Sequence, residues 1–180
     1  MRTPRHPLAT AFLLALIPTQ LQAQTKGDPM SATAQVATLN ETAIHRLYDE
    51  CLNQNRLDLL PELVSANVID HTYAGEKTGL AAFEQGIQAT RRMFSGQRFT
   101  LDGVVANGDR GAAHWTMTAI NSGPIAGIPA SGKPITQHGV VFFRFEEGKI
   151  AEVWLQVDRL GIFQQIGAAV PGSPQPSSAH

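Results

Sequence analysis

The second half of this 180-residue chain alternates apolar and polar residues in a series of runs separated by turn signals. The alternating runs cover residues 98–106, 110–120, 134–145 and 150–157. A period of two places successive side chains on opposite faces of a strand. The turns Asn107-Gly108-Asp109 and Glu146-Glu147-Gly148-Lys149 are typical of hairpins, whereas 121–133 is a longer loop. The pattern therefore predicts an antiparallel meander.

The first half of the sequence has helical periodicity instead. Predicted helices cover residues 36–52, 57–64 and 79–94, and a short closing helix covers 160–166. Thr78 is a candidate cap for the third helix, and 67–79 is interpreted as a connection. We therefore expect an α+β fold, with three N-terminal helices packed in the concave side of a strongly curved, mostly antiparallel sheet. Such an arrangement can enclose a cavity.

The N-terminus resembles a secretory signal peptide, predicted over residues 1–23. Arg2 and Arg5 precede a short apolar run, and Leu21-Gln22-Ala23 is an acceptable cleavage site. The run is shorter than the roughly 20 residues of a membrane-spanning helix, so we expect no stable membrane insertion. A retained anchor is the alternative. The expected location is periplasmic or secreted.

The remaining chain is predicted to hold one domain. Residues 24–35 are small and polar and are interpreted as a linker. Residues 168–180 are rich in Pro, Ser and Ala, which predicts a disordered tail. The domain is expected at 36–167, a length sufficient for one compact core.

Charge and cysteine content exclude several classes of function. Loss of Arg2 and Arg5 would leave 12 of the 14 basic residues against 15 acidic ones. No basic cluster is present, so we expect no binding to nucleic acid. Cys51 is the single cysteine, which excludes an intramolecular disulfide. The six His residues show no metal-ligand spacing, and no metal is expected.

The last predicted strand has two chemically different faces. Glu152, Trp154, Gln156 and Asp158 share one face, which combines an aromatic ring with polar groups. This face is interpreted as a pocket wall, since small-molecule pockets need an apolar surface and a few polar groups. The opposite face is wholly apolar and carries Ala151, Val153, Leu155 and Val157. We expect it to contact the core or a second subunit, and hence predict a homodimer.

Several motifs together resemble the SnoaL-like polyketide (ester) cyclases, within the cone-shaped α+β superfamily of ketosteroid isomerase and nuclear transport factor. The resemblance covers about residues 40–167. Its strongest pieces are 69-IDHT-72, 104-VVANGDRGAAHWTMTA-119, 127-GIPASGKPI-135, 143-FRFEEGKIAEVW-154 and 158-DRLGIFQQIG-167. The resemblance implies a closed-ended pocket, no cofactor, and an acid/base carboxylate four residues beyond a Trp at the end of the last strand.

The resemblance maps this carboxylate onto Asp158, after Trp154, and a family histidine onto His71. Tyr73 stands where the family has a proline. Asp158 could equally be the N-cap of the closing helix, and His71 a loop histidine bonded to backbone. Trp154 could also fill the core.

Further substrate-binding candidates are His138, favoured by analogy as facing the pocket, together with His114, Gln156, Tyr48 and Tyr73. The two tyrosines could instead be packing or rim residues. The parity of the strands that carry the two histidines is not determined by the sequence.

The expected function is cofactor-free acid/base chemistry on a small hydrophobic carbonyl compound, of the cyclase or isomerase kind. A pocket carboxylate would remove a proton next to a carbonyl and form an enolate. One alternative is a small-molecule binding protein without chemistry, since one fold supports unrelated functions. Another is an enzyme of the limonene-epoxide-hydrolase type, with Asp158, Arg159 and either Asp102 or Asp109.

Overall fold

The computed structural model describes residues 29–72 and 75–168. The helices are α1 (Pro29–Arg46), α2 (Leu60–Leu63), α3 (Leu80–Met93) and α4 (Arg159–Ile166). A π-helical segment, Leu47–Asn53, continues α1, and a short 3₁₀ helix, Leu57–Leu59, precedes α2. The strands are β1 (Val64–Thr72), β2 (Gly75–Thr78), β3 (Phe94–Asn107), β4 (Arg110–Asn121), β5 (Pro134–Glu146) and β6 (Lys149–Val157).

The six strands form one sheet in the order β2-β1-β6-β5-β4-β3. Strands β3 to β6 are the antiparallel meander predicted from the sequence. Strand β1 joins β6 in parallel, and β2 pairs antiparallel with β1 at the edge. The first strand of the fold therefore lies beside the last one, so residues far apart in sequence meet at the β1–β6 junction.

One face of the sheet is buried and the other is open. On β4 the buried side chains Ala113, Trp115 and Met117 alternate with His114 and Thr116 on the other side. We call the face that carries Trp115 the inner face and the face that carries His114 the outer face. The inner face packs against the helices, whose buried residues Ile44, Leu47 and Leu60 belong to the same hydrophobic core.

The predicted fold class is confirmed, with helices packed against a mostly antiparallel six-stranded sheet. Three local predictions differ from the structure. Residues 67–79, interpreted as a connection, contain most of β1 and all of β2. Helix α1 begins at Pro29, inside the predicted linker. Gly79, not Thr78, is the N-cap of α3, and no side chain caps that helix.

The predicted signal peptide and the predicted tail, apart from Ala168, lie outside the described residues. Within residues 29–72 and 75–168, no helix is long and apolar enough to cross a membrane.

Candidate functional site

A cavity of about 470 Å³ lies between the inner face of the sheet and the helices. The sheet, including β1 and β2, supplies one wall, and α3, α4 and the π-helical segment supply the other. The lining is mostly apolar and includes Leu52, Phe83, Ile87, Phe99, Met117 and Leu155. A cavity of this size and composition suits a small hydrophobic molecule.

Three charged side chains line this cavity among the described residues: Asp70, Lys77 and Arg159. Asp70 is therefore the only lining carboxylate in that part of the chain. Uncharged polar side chains in the lining are Tyr48, Thr90, Gln97 and Gln137. A small number of polar groups is enough to orient a ligand in an apolar cavity, because water competes little for their hydrogen bonds there.

Asp70 reaches the cavity because side chains alternate between the two faces of β1. Val68, two residues earlier, is fully buried, so Asp70 shares the inner face with it. Asp70 is the register partner of Val153 on β6, which also lines the cavity. Burial raises the pKa of the Asp70 carboxyl above its ordinary value, and the nearby charges of Lys77 and His71 act in the opposite direction. A carboxylate with a raised pKa is a better proton acceptor near neutral pH.

Tyr48 belongs to an aromatic cluster in the cavity wall. Its ring centroid lies 5.7 Å from that of Phe99 and 6.4 Å from that of Trp115. Burial raises the pKa of the Tyr48 hydroxyl well above its ordinary value, so this group stays protonated and can donate a hydrogen bond. Tyr48 therefore lines the cavity, and its role in substrate binding stays a prediction.

The face predicted for β6 is wrong. Val153, Leu155 and Val157 line the cavity, whereas Glu152, Trp154 and Gln156 project from the outer face. The physical reason is that the cavity wall is itself apolar, so the apolar face of β6 belongs to it. Neither Trp154 nor Gln156 is among the described residues that line the cavity.

His71 also lies on the outer face. Its ring stacks on Trp154 with centroids 4.7 Å apart and planes inclined by 7°. Its Nε2 lies 2.9 Å from Glu152 Oε2, and the guanidinium Nε of Arg144 donates to Glu152 Oε1 at 2.6 Å. These contacts join β1, β6 and β5. The structure therefore places His71 in a hydrogen-bonded network on the outside of the sheet. Tyr73 lies outside the described residues.

Asp158 caps helix α4. Its Oδ1 accepts a hydrogen bond of 2.8 Å from the Gly161 backbone N–H, as the capping alternative predicted. The side chain is exposed and does not belong to the described lining of the cavity, although its neighbour Arg159 does. A catalytic role for Asp158 stays a prediction, and the geometry supports the capping role.

The two histidines of the meander lie on the outer face, so the pocket-facing orientation favoured for His138 is wrong. Gln137 faces the cavity instead. His138 Nδ1 lies 3.1 Å from the Thr116 hydroxyl, which donates to Asp102 Oδ2 at 2.7 Å. His114 lies beside them, with its ring centroid 6.5 Å from that of His138.

The structure does not bring together the acids predicted for epoxide hydrolysis, Asp158 with Asp102 or Asp109. Asp102 lies on the outer face beside Thr116, and Asp109 lies in the β3–β4 turn. With Asp158 at its helix cap, the described cavity lining has Arg159 without any of the three predicted acids. No group of three or more His, Cys, Asp or Glu side chains in residues 29–72 and 75–168 is placed to hold a metal ion.

A mostly antiparallel sheet packed against helices around an apolar cavity, with one carboxylate among the described lining residues, is the arrangement of a cone-shaped α+β protein. The model of the SnoaL-like polyketide cyclase family matches residues 42–166, and the chain belongs to that family. No protein of curated function matches it.

Solved structures have a similar fold. A SnoaL-like protein from Jannaschia sp. CCS1 is similar with a TM-score of 0.69 at 20% identity, over 75% of this chain and 96% of that one. TsrD from Streptomyces laurentii has a TM-score of 0.67 at 25% identity, over 73% and 97%. A SnoaL-like polyketide cyclase from Agrobacterium tumefaciens has a TM-score of 0.62 at 26% identity, over 72% and 98%.

Proposed function

We propose that this protein is a cyclase- or isomerase-type acid/base enzyme, in which Asp70 transfers a proton to and from a small hydrophobic carbonyl compound. The observation that carries the proposal is the position of Asp70, as the one carboxylate among the described residues of an apolar cavity. Its raised pKa and the family membership support the same chemistry.

The reaction would begin when the Asp70 carboxylate removes a proton from a carbon next to a carbonyl. The electron pair of the C–H bond forms a C=C bond, and the carbonyl π pair moves to the oxygen as an enolate. In a cyclase the enolate carbon then attacks the carbon of a second carbonyl of the same molecule, whose π pair moves to its oxygen, and that oxygen takes the proton back from Asp70. In an isomerase, protonated Asp70 returns the proton to another carbon.

The experiment that tests this proposal compares wild-type protein with Asp70→Asn, which keeps the shape of the side chain but cannot accept a proton. Small molecules released from each purified protein under denaturing conditions are identified by mass spectrometry. We expect a carbonyl compound with an acidic C–H bond to accumulate on the Asn variant only. Asp158→Asn is the matched control, and we expect it to behave as wild type.

Two outcomes would contradict the proposal. The same unaltered compound on wild type and Asp70→Asn would favour the binding-protein alternative. Accumulation on Asp158→Asn, but not on Asp70→Asn, would transfer the acid/base role to Asp158.

We also propose that the protein is exported, on the sequence of residues 1–23 alone. The mass of the protein recovered from a periplasmic or secreted fraction tests this. We expect the mass of a chain that begins near Gln24. The mass of the full-length chain, found in the membrane fraction, would favour the retained anchor.

A further inference from the structure

The charged groups of the cavity do not balance once Asp70 has accepted a proton. Asp70, Lys77 and Arg159 are its charged lining residues among those described. With Asp70 protonated, two cationic side chains remain in the lining and no anionic one. A positive charge beside an apolar site stabilises a negative charge on the ligand, and water screens it less there than in bulk solvent.

Lys77 and Asp70 face each other directly. They are register partners on the antiparallel strands β1 and β2, and both line the cavity. Side chains directly opposite on such strands have Cβ atoms about 5 Å apart. A ligand whose reacting carbon touches Asp70 therefore has its adjacent carbonyl within reach of Lys77.

Lys77 is available for this contact. The ion pairs found within residues 29–72 and 75–168 do not include Lys77 or Asp70. The Lys77 side chain is exposed, so the ammonium group can move to meet a ligand at the cavity. Lysine places a compact charge with three donors at the end of a flexible stem, which suits an oxygen that gains charge during a reaction.

We propose that Lys77 binds the negatively charged oxygen of the enolate that Asp70 generates, so that the substrate carbonyl faces strand β2. This inference rests on the proposed function. When the C–H proton moves to Asp70, the negative charge moves from the carboxylate to the substrate oxygen. The Lys77 ammonium then pairs with that oxygen, and the pairing ends when the enolate carbon forms its new bond.

The test uses para-nitrophenol, whose ionised form carries its charge on an oxygen attached to an sp² carbon, as an enolate does, and absorbs differently from the neutral form. The background is Asp70→Asn, because an amide resembles Asp70 after it has accepted the proton. Absorbance titrations at a series of pH values give the dissociation constants of the ionised and neutral forms. We expect the ionised form to bind at least about tenfold more weakly when Lys77→Met is added to this background. Lys77→Arg should restore most of the loss.

Lys149→Met is the matched control. Lys149 is also exposed, but it donates a hydrogen bond to the Pro61 carbonyl and does not belong to the described cavity lining. We expect it to leave both dissociation constants unchanged. The proposal is overturned if Lys77→Met changes both forms equally, if Lys149→Met has the same effect, or if the ionised form does not bind to Asp70→Asn at all. Circular dichroism confirms that each variant is folded.

The two proposals fail in distinguishable ways. If Asp70→Asn accumulates no substrate but the Lys77 effect is present, the cavity binds an anionic oxygen without the proposed proton transfer. If Asp70→Asn accumulates a carbonyl compound but Lys77→Met has no effect on the phenolate, the proton transfer stands and the role of Lys77 is wrong.

Discussion

Asp70 and His71 are consecutive in the chain but lie on opposite faces of the sheet. Asp70 lines the cavity, whereas the His71 imidazole bonds Glu152 and stacks on Trp154 on the outer face. Because successive side chains of a strand point to opposite faces, Asp70 is a candidate proton acceptor in the cavity while His71 connects β1 to β6 on the outer face. Substitutions at Asp70 are therefore expected to affect the chemistry and a pH-dependent part of the stability, whereas substitutions at His71 are expected to affect stability alone.

Replacing Asp70 with Asn is expected to stabilise the protein at neutral pH. Burial raises the folded-state pKa of Asp70, so between its ordinary value and the raised value the folded state binds more protons than the unfolded state. Wild-type stability therefore falls as pH rises through this window, and the Asn variant lacks this loss. We expect a higher Tm for the Asn variant than for wild type at pH 7 and no such difference at pH 3. Thermal unfolding at both values measures it, and a destabilised Asn variant would show that the carboxylate is stabilised by its surroundings.

Replacing Glu152 with Gln is expected to destabilise the protein in a pH-dependent way. The hydrogen bonds from His71 and then Arg144 lower the pKa of Glu152 below its ordinary value of 4.5. Its stabilising contribution is therefore present above that value and is lost as pH falls through the lowered pKa. We expect a loss of about 0.5–1 kcal/mol in the free energy of unfolding at pH 7. Urea unfolding should show the difference at pH 7 but not below both pKa values.

Glu146→Gln is the control for Glu152. Glu146 lies 3.5 Å from the same Arg144, but its side chain is 67% exposed, and we expect no measurable change. Equal effects of the two variants would indicate that the network adds no more than an ordinary surface ion pair.

Gly139 leaves the space that the Trp115 ring occupies in the cavity wall. It is the register partner of Trp115, and a Cβ at Gly139 would overlap the Trp115 ring atoms Cζ2 and Cε2. Gly139→Ala is therefore expected to displace the ring and cost about 1–3 kcal/mol in the free energy of unfolding. Gly103→Ala, where nothing lies within 4 Å of the added Cβ, is the control. Chemical denaturation and tryptophan fluorescence check the result, and an unperturbed spectrum would contradict it.

The homodimer stays a prediction, but the surface predicted for it is wrong. Val153, Leu155 and Val157 line the cavity and are not available to a second subunit. On the outer face, Phe142 is 57% exposed and Val140 is 39% exposed on β5. If two copies associate through this face, Phe142→Glu should give a monomer in analytical ultracentrifugation while Leu160→Glu, on α4, stays dimeric. A dimer in both variants would place the interface elsewhere.

The meander could be predicted from the sequence because β4 and β5 alternate strictly, with Ala113, Trp115 and Met117 buried and their neighbours exposed. The hairpin of β1 and β2 could not, since β2 is a four-residue edge strand of Gly and polar side chains that also suit a loop, and without it β1 has no hairpin partner. Val64, Val68 and Ile69, all β-branched, were the available signal for β1. With residues 67–79 interpreted as a connection, the sequence does not predict that Asp70 and Lys77 line the cavity.

The face of β6 could not be assigned from composition alone. A core, a subunit interface and an apolar cavity all require the same side chains, so Val153 and Leu155 did not distinguish them. Trp154 suggested a pocket because tryptophan combines an apolar body with a polar group. In the fold that ring packs instead against His71, and Arg110 lies 6.0 Å from it. The partner of a strand, which is a tertiary property, decides which face is enclosed.

Asp158 provides a final test of whether the capping role is sufficient. Asp158→Ala removes the acceptor for the Gly161 N–H and is expected to cost about 1 kcal/mol in the free energy of unfolding, whereas Asp158→Asn keeps an acceptor and should cost much less. Neither variant is expected to accumulate a substrate, because the described cavity lining does not include Asp158. Urea unfolding and the ligand extraction applied to Asp70 measure both properties. A stable Asp158→Asn variant that accumulates a carbonyl compound would show that the carboxylate moves into the cavity during the reaction and acts there as the acid/base group.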